Sequence, residues 1–218
     1  MARTRRPSRF KDYSINVFIN CPFDDAYKPL FESLVFAITH CGFRPRCALE
    51  IDDGSQVRVD KIFRIIEECR FGLHDLSRAE LDTSSGLPRF NMPLELGMFL
   101  AAKRFGAERQ RTKVCLILDL EPYRYQKFIS DIAGQDIRAH GRDLDRAIAV
   151  TRDWLRASSS RSMPGGSEIY RQFREFRKQL PTLCKDLRLE PAEVTFNDLT
   201  NMTVEWLRTQ QQGPSGRA

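Results

Sequence analysis

Short, nearly uninterrupted apolar runs alternate along the chain with longer segments whose apolar residues recur every three or four positions. The first run, INVFIN at 15–20, is rich in β-branched and aromatic residues and predicts a buried strand. After the break CPFDD, apolar positions Leu30, Leu34, Ala37, Ile38 and Cys41 keep helical spacing. Pro29 falls in the early turns of that helix or marks a kink, and Gly42 fits its stop. FRPRCALE at 43–50 predicts a weaker strand, and IDDGSQ a loop. A helix over 57–70 follows, with Val59, Ile62, Phe63, Ile66 and Cys69 on one face. FGLHDLS at 71–77 predicts a third strand with a polar tip, and a polar loop leads from it to a helix over 92–105. KVCLILDL at 113–120 is the clearest strand. A helix over Pro122–Ala133, a fifth strand over Asp136–Ala139 and a helix over Leu144–Ala157 complete the series.

Strand and helix alternate throughout, which predicts an α/β fold with a parallel sheet. Right-handed crossovers then put helices on both faces, and the expected architecture is a flavodoxin-like doubly wound sheet of order 2-1-3-4-5. The α/β domain is read as residues 13–157. SSSRSMPGGS makes 158–167 a linker by composition, and two further helices follow within 168–210 as a C-terminal appendage. Ile169, Phe173, Phe176 and Leu180 line the first of these, and Thr195 or Asn197 caps the second. With Trp206 and Leu207 they offer an apolar seam. The ends, 1–12 and 211–218, read as disordered tails.

Composition narrows the class. The chain of 218 residues is 41% hydrophobic and 29% charged, ordinary for a soluble globular protein. No apolar run approaches the roughly 20 residues that cross a bilayer. The basic N-terminus has no apolar segment behind it, so it is not read as a secretory signal. Six cysteines without C-x-x-C spacing predict reduced, buried thiols and a cytoplasmic protein, and three scattered histidines predict no metal site. Net charge is +6, but five basic residues lie in the first eleven positions. That pattern predicts a solvated tail rather than a nucleic-acid arm.

In such a sheet, ligands bind beyond the carboxyl ends of the strands, where strand order reverses. The loops expected there, 20–25 and 75–91, bring three polar sets together: Asn20 with Asp24 or Asp25; Asp75 with Ser77; Asn91 with Glu95. In FNMPLELG at 90–97, Asn91 suits an N-cap, and Pro93 is tolerated in a first turn. Glu95 then lies in that turn, where the helix dipole favours a carboxylate. On position alone, Glu95 is a helix-start charge.

INVFINCPF, FGLHDLS and FNMPLELGMFLAAKRFG together resemble the TIR-like and nucleoside 2-deoxyribosyltransferase-like superfamily over residues 13–120. In those families a glutamate in a segment like N-x-x-x-E-L-G-x-A acts on an N-glycosidic carbon. Asn91, Glu95, Leu96 and Gly97 match that segment, with Ala101 slightly displaced. The resemblance implies Glu95 as the catalytic carboxylate, which stabilises an oxocarbenium-like state or forms a ribosyl ester. It implies Asp75 and Ser77 as sugar-binding groups, Asn91 as an orienting group, and Asn20, Pro22 and Phe23 as the loop that lines the base pocket. Arg58 or Arg89 meets phosphates if the substrate is a dinucleotide. His74 alternates away from Asp75 and is read as a buried, hydrogen-bonded histidine. Cys21 has no histidine predictably beside it and is not read as a nucleophile.

The Trp-Cys pair of animal and plant TIR domains is replaced here by Phe90 and Asn91, and CPFDD is closer to the transferases. NAD and nucleoside substrates therefore both stay open. The implied activity is cleavage of NAD as a substrate, with no cofactor, to a product such as cyclised ADP-ribose, in bacterial antiphage defence. The alternatives are a nucleoside or nucleotide hydrolase or deoxyribosyltransferase, and a non-catalytic nucleotide-sensing or self-assembly module. Self-association, a separate defence partner as trigger, no membrane and no nucleic acid complete the expectation.

Overall fold

The computed structural model describes residues 12–78 and 86–212. The remainder of the basic N-terminal tail, the C-terminal tail beyond 212 and the loop stretch 79–85 lie outside the described residues. Five strands of the described residues form one parallel sheet: β1 (Asn16–Asn20), β2 (Arg44–Arg46), β3 (Phe71–Asp75), β4 (Val114–Asp119) and β5 (Ile137–Ala139). Their order is β2-β1-β3-β4-β5, the flavodoxin-like arrangement. Among the described residues six helices accompany them: α1 (Lys28–His40), α2 (Arg58–Glu68), α3 (Asn91–Phe105), α4 (Leu144–Ala157), α5 (Gly166–Asp186) and α6 (Phe196–Gln212).

Side-chain alternation along the strands divides the core into two layers. Val17 and Ile19 of β1, Phe71 and Leu73 of β3, and Leu116 and Leu118 of β4 point to the layer that holds α1, α4, α5 and α6. Phe18 points to the opposite layer with Ile62, Ile65 and Ile66 of α2 and Phe99 of α3. Ile117 joins Met92 and Leu96 of α3 in a third cluster on that side. Gly72 makes this layer possible, because a Cβ there would stand 2.7 Å from both the Phe99 ring and His74 Nε2.

α1 is apolar around nearly its whole circumference, and every residue from Leu30 to Ile38 is buried. One side faces the sheet, and the other meets α4, α5 and α6. Phe36 alone contacts the rings of Phe173, Phe176 and Trp206. The seam Phe173, Phe176, Trp206 and Leu207 is thus covered by α1, and the C-terminal helices share one core with the sheet. α1 closes in a Schellman arrangement: Phe43 N–H donates to Ile38 C=O at 3.1 Å, Gly42 N–H to Thr39 C=O at 2.9 Å, and Gly42 takes φ +77°. Pro29 lies in its first turn.

Three local expectations are corrected. Residues 122–133 form two short 3₁₀ turns, Arg124–Lys127 and Ser130–Ile132, in place of a helix. Tyr123 enters at φ 60°, a left-handed step that starts no α-helix, and the Arg124 guanidinium is held by Asp119 and the Leu76 carbonyl. Phe63 is 49% exposed, because the buried stripe of α2 runs through Ile62, Ile65 and Ile66. The second strand is only three residues long, and Ala48–Glu50 turns as a 3₁₀ segment. All six cysteines are free thiols, and no described helix is long and apolar enough to cross a membrane.

Candidate functional site

β1 and β3 are neighbours, yet the chain leaves β1 for α1 on one face and β3 for α3 on the other. Their carboxyl ends, Asn20 and Asp75, therefore flank the switch point of the sheet. Asn20 is buried, and its amide donates to the Met92 carbonyl at 2.8 Å and to His74 Nδ1 at 3.1 Å. A donor facing Nδ1 assigns the His74 proton to Nε2. Burial, with the Lys113 charge adding to it, pushes His74 down to about 3, so the ring is neutral. It stacks edge-on against Phe18 and Phe99. Asn20 was expected to meet substrate; its side chain instead ties β1 to the first turn of α3. Asn20→Ala should cost about 1–3 kcal/mol of unfolding free energy by urea denaturation, since it frees a buried carbonyl and a buried ring nitrogen.

That tether fixes the helix carrying Glu95. α3 begins at Asn91, preceded by Phe90, and no side chain caps it. Asn91 is thus the first helical residue rather than the N-cap, and its side chain is exposed. Glu95 is the fifth helical residue, one position further in than expected and past the first turn, beyond the reach of a simple helix-start explanation. It is 9% exposed, and among the described residues its carboxylate accepts no hydrogen bond and makes no ion pair. Burial pushes its carboxyl up to about 7, with the Arg58 charge pulling the other way. Cys21, just past β1, lies within its field: burial drives that thiol well up, and the charges of Asp75 and Glu95 add to the rise. Cys21 is a buried thiol and no nucleophile.

Asp75, expected to hold the sugar, has 0% exposure, and its carboxylate is engaged by its own neighbours. Tyr27 O–H donates to Oδ2, and Ser77 N–H donates to Oδ1 at 2.8 Å. His140 Nε2 stands 3.0 Å from Oδ2, off the line of a good hydrogen bond, and acts chiefly as a polar contact. Arg142 N–H donates to His140 Nδ1 at 3.0 Å, which assigns the ring proton to Nε2, facing Asp75. Burial alone would raise Asp75; His140, Tyr27 and Ser77 outweigh it and hold the carboxyl below its ordinary value. Tyr27 and His140 were invisible as partners in the sequence, since His140 follows the weak fifth strand and its proximity to Asp75 exists only once β3, β4 and β5 are aligned.

The other expected residues are spread around this edge. Pro22 is buried behind β1, and Ser77 serves Asp75 through its backbone. Phe23 is 37% exposed and lies edge-on to Phe31, toward α6. Arg58 is the exposed first residue of α2 and shares the Glu95 side of the sheet. Arg89 is exposed and stands 3.9 Å from Asp24. Arg78, not anticipated, grips the same carboxylate at 2.6 Å and so links the two switch-point loops. A cavity of about 310 Å³ opens beside them, lined by Tyr27, Ser77, Arg78, His140 and Arg142. No group of His, Cys, Asp and Glu that could hold a metal occurs among the described residues.

The structure therefore gathers Asn20, Asp75 and Ser77 as a buried frame, with Glu95 nearly buried on the side of the sheet that Arg58 shares. No family model, no curated protein and no solved structure matches this chain.

Proposed function

We propose that the protein is a TIR-like enzyme that cleaves the N-glycosidic bond of NAD or a related nucleotide, with Glu95 as the catalytic carboxylate. The observation that carries this reading is Glu95 itself: a nearly buried carboxylate without a hydrogen-bond partner among the described residues, next to the switch point of a parallel sheet. A lone buried charge costs stability and stores an affinity for positive charge. The cation developing at C1′ during bond cleavage is the partner that such a group lacks.

NAD suits this arrangement better than a nucleoside does. As the C1′–N bond breaks, its electron pair goes to the pyridinium nitrogen, and nicotinamide departs neutral with no proton required. A departing purine or pyrimidine needs a proton, and His74, neutral with its value near 3, supplies none. Glu95 then faces an oxocarbenium ion or forms an ester with C1′. Water attack yields ADP-ribose, and attack by a ring nitrogen of the same molecule yields a cyclised product. A role in bacterial antiphage defence and activation by a separate partner follow the family resemblance.

The test is to incubate the purified protein with NAD and, separately, with nucleosides and deoxynucleosides, and follow released base by chromatography. Nicotinamide release is the expected result. Free base from the nucleosides alone would move the assignment to the hydrolase or deoxyribosyltransferase reading. The assembly-module reading loses its proposed surface, since the apolar seam of α5 and α6 is occupied by α1.

A further inference from the structure

We propose that a second cavity, about 210 Å³ between the β1–α1 loop, α1 and α6, binds a planar nitrogen heterocycle presenting N–H donors, the chemistry of an aminated nucleobase. Its walls are aromatic: Phe23 stands edge-on to Phe31 at 5.4 Å between centroids, and Phe31 is tilted against Phe196 at 6.0 Å. Leu199 extends the apolar lining. Set into this wall is Glu32, only 8% exposed. Among the described residues it accepts no hydrogen bond, and its nearest cation is Arg177 Nε at 3.7 Å.

An apolar, ring-lined slot discriminates poorly among flat molecules, because every aromatic ring has a face to stack. A desolvated carboxylate in the same wall adds the selection: it favours a ring whose edge donates N–H and penalises one that does not. Burial pushes the Glu32 carboxyl up, against the opposing charges of Arg177 and Lys28. Lys28 at the rim offers a cation to a phosphate joined to the ring. Phe196 and Leu199 belong to α6, so the C-terminal helices complete the slot and gain a role in recognition.

The assignment rests on the nucleotide reading only for what the ring is joined to. Phe23 and Asp25 of the β1–α1 loop line this slot, and Cys21 of the same loop lies within the field of Glu95. A dinucleotide whose reacting sugar meets Glu95 would lodge its uncleaved base here.

Titration calorimetry with adenosine and with purine riboside, which lacks only the exocyclic amino group, tests the slot. Wild-type protein should bind adenosine about tenfold or more tightly than purine riboside. Glu32→Leu should reduce adenosine to the affinity of purine riboside and leave the melting temperature undiminished. Phe196→Ala should weaken both nucleosides by about tenfold. Equal affinities for the two nucleosides in wild-type protein, or no binding of either at millimolar concentration, would overturn the slot. That comparison uses wild-type protein alone, so a variant that fails to fold does not obscure it. Glu95→Gln protein should keep the adenosine preference; if it also keeps NAD turnover, the glycosidase reading falls while the slot stands.

Discussion

Glu95→Gln should lose NAD cleavage by about 10³-fold or more, because the substitution removes the charge that faces the developing cation while keeping the side chain's shape. The same variant should be more stable than the parent at neutral pH. Glu95 has a folded value of about 7 against an ordinary 4.5, so the folded state holds a proton that the unfolded state has released. Its contribution to stability is intact below pH 4.5, falls as pH rises towards 7, and levels off above. The gap corresponds to roughly 3 kcal/mol of penalty above pH 7, which glutamine does not incur. Urea denaturation of both proteins at pH 4.5 and pH 8 should show curves close together at the lower pH and glutamine ahead at the higher. Turnover follows the opposite sense: the ionised form is active, so kcat should rise with pH and reach half its plateau near 7. Undiminished turnover in Glu95→Gln would remove this residue from the chemistry.

Asp75→Ala should be the most damaging single change to stability at this edge. It strips the acceptor from the Tyr27 hydroxyl and the Ser77 amide and removes the carboxylate that faces the His140 ring, all of them buried. Breaking a buried, hydrogen-bonded charge cluster costs about 3–5 kcal/mol. For a chain of this size that lowers the melting temperature by roughly 10 °C, measurable by calorimetry. The parent should also lose stability in acid, since a carboxyl held below its ordinary value contributes above that value and gives up the contribution as pH falls. A loss below about 1 kcal/mol with activity abolished would return Asp75 to the ligand, contrary to its complete burial.

What could be read from the sequence depended on the range of the forces involved. β1, β3 and β4 were legible because apolar runs between polar breaks have few other solutions, and the parallel order followed from strand–helix alternation. α4 was legible to its ends, since Asp143 caps it through contacts to Asp145 and Arg146, its immediate neighbours. Residues 122–133 were not, because their conformation is decided by Asp119 and Leu76 pulling on Arg124. The site divides in the same way. Glu95 stood out by its place in a motif, but its missing hydrogen-bond partner depends on which side chains surround α3. The hub at Asp75 was hidden because its partners Tyr27 and His140 are brought in from elements far apart along the chain. Glu32 gave no signal at all: in α1 it occupies one polar position in an apolar helix, and only the arrival of α6 turns that position inward.

The burial of α1 on every side sets an order of events during translation. Its outer surface is covered by residues that the ribosome adds only after more than a hundred others, Trp206 included. At ordinary elongation rates that interval is roughly ten seconds or more. Throughout it, a strongly greasy rod has no permanent cover, a natural client for a holding chaperone. Native closure over α1 accordingly waits until α6 has been made.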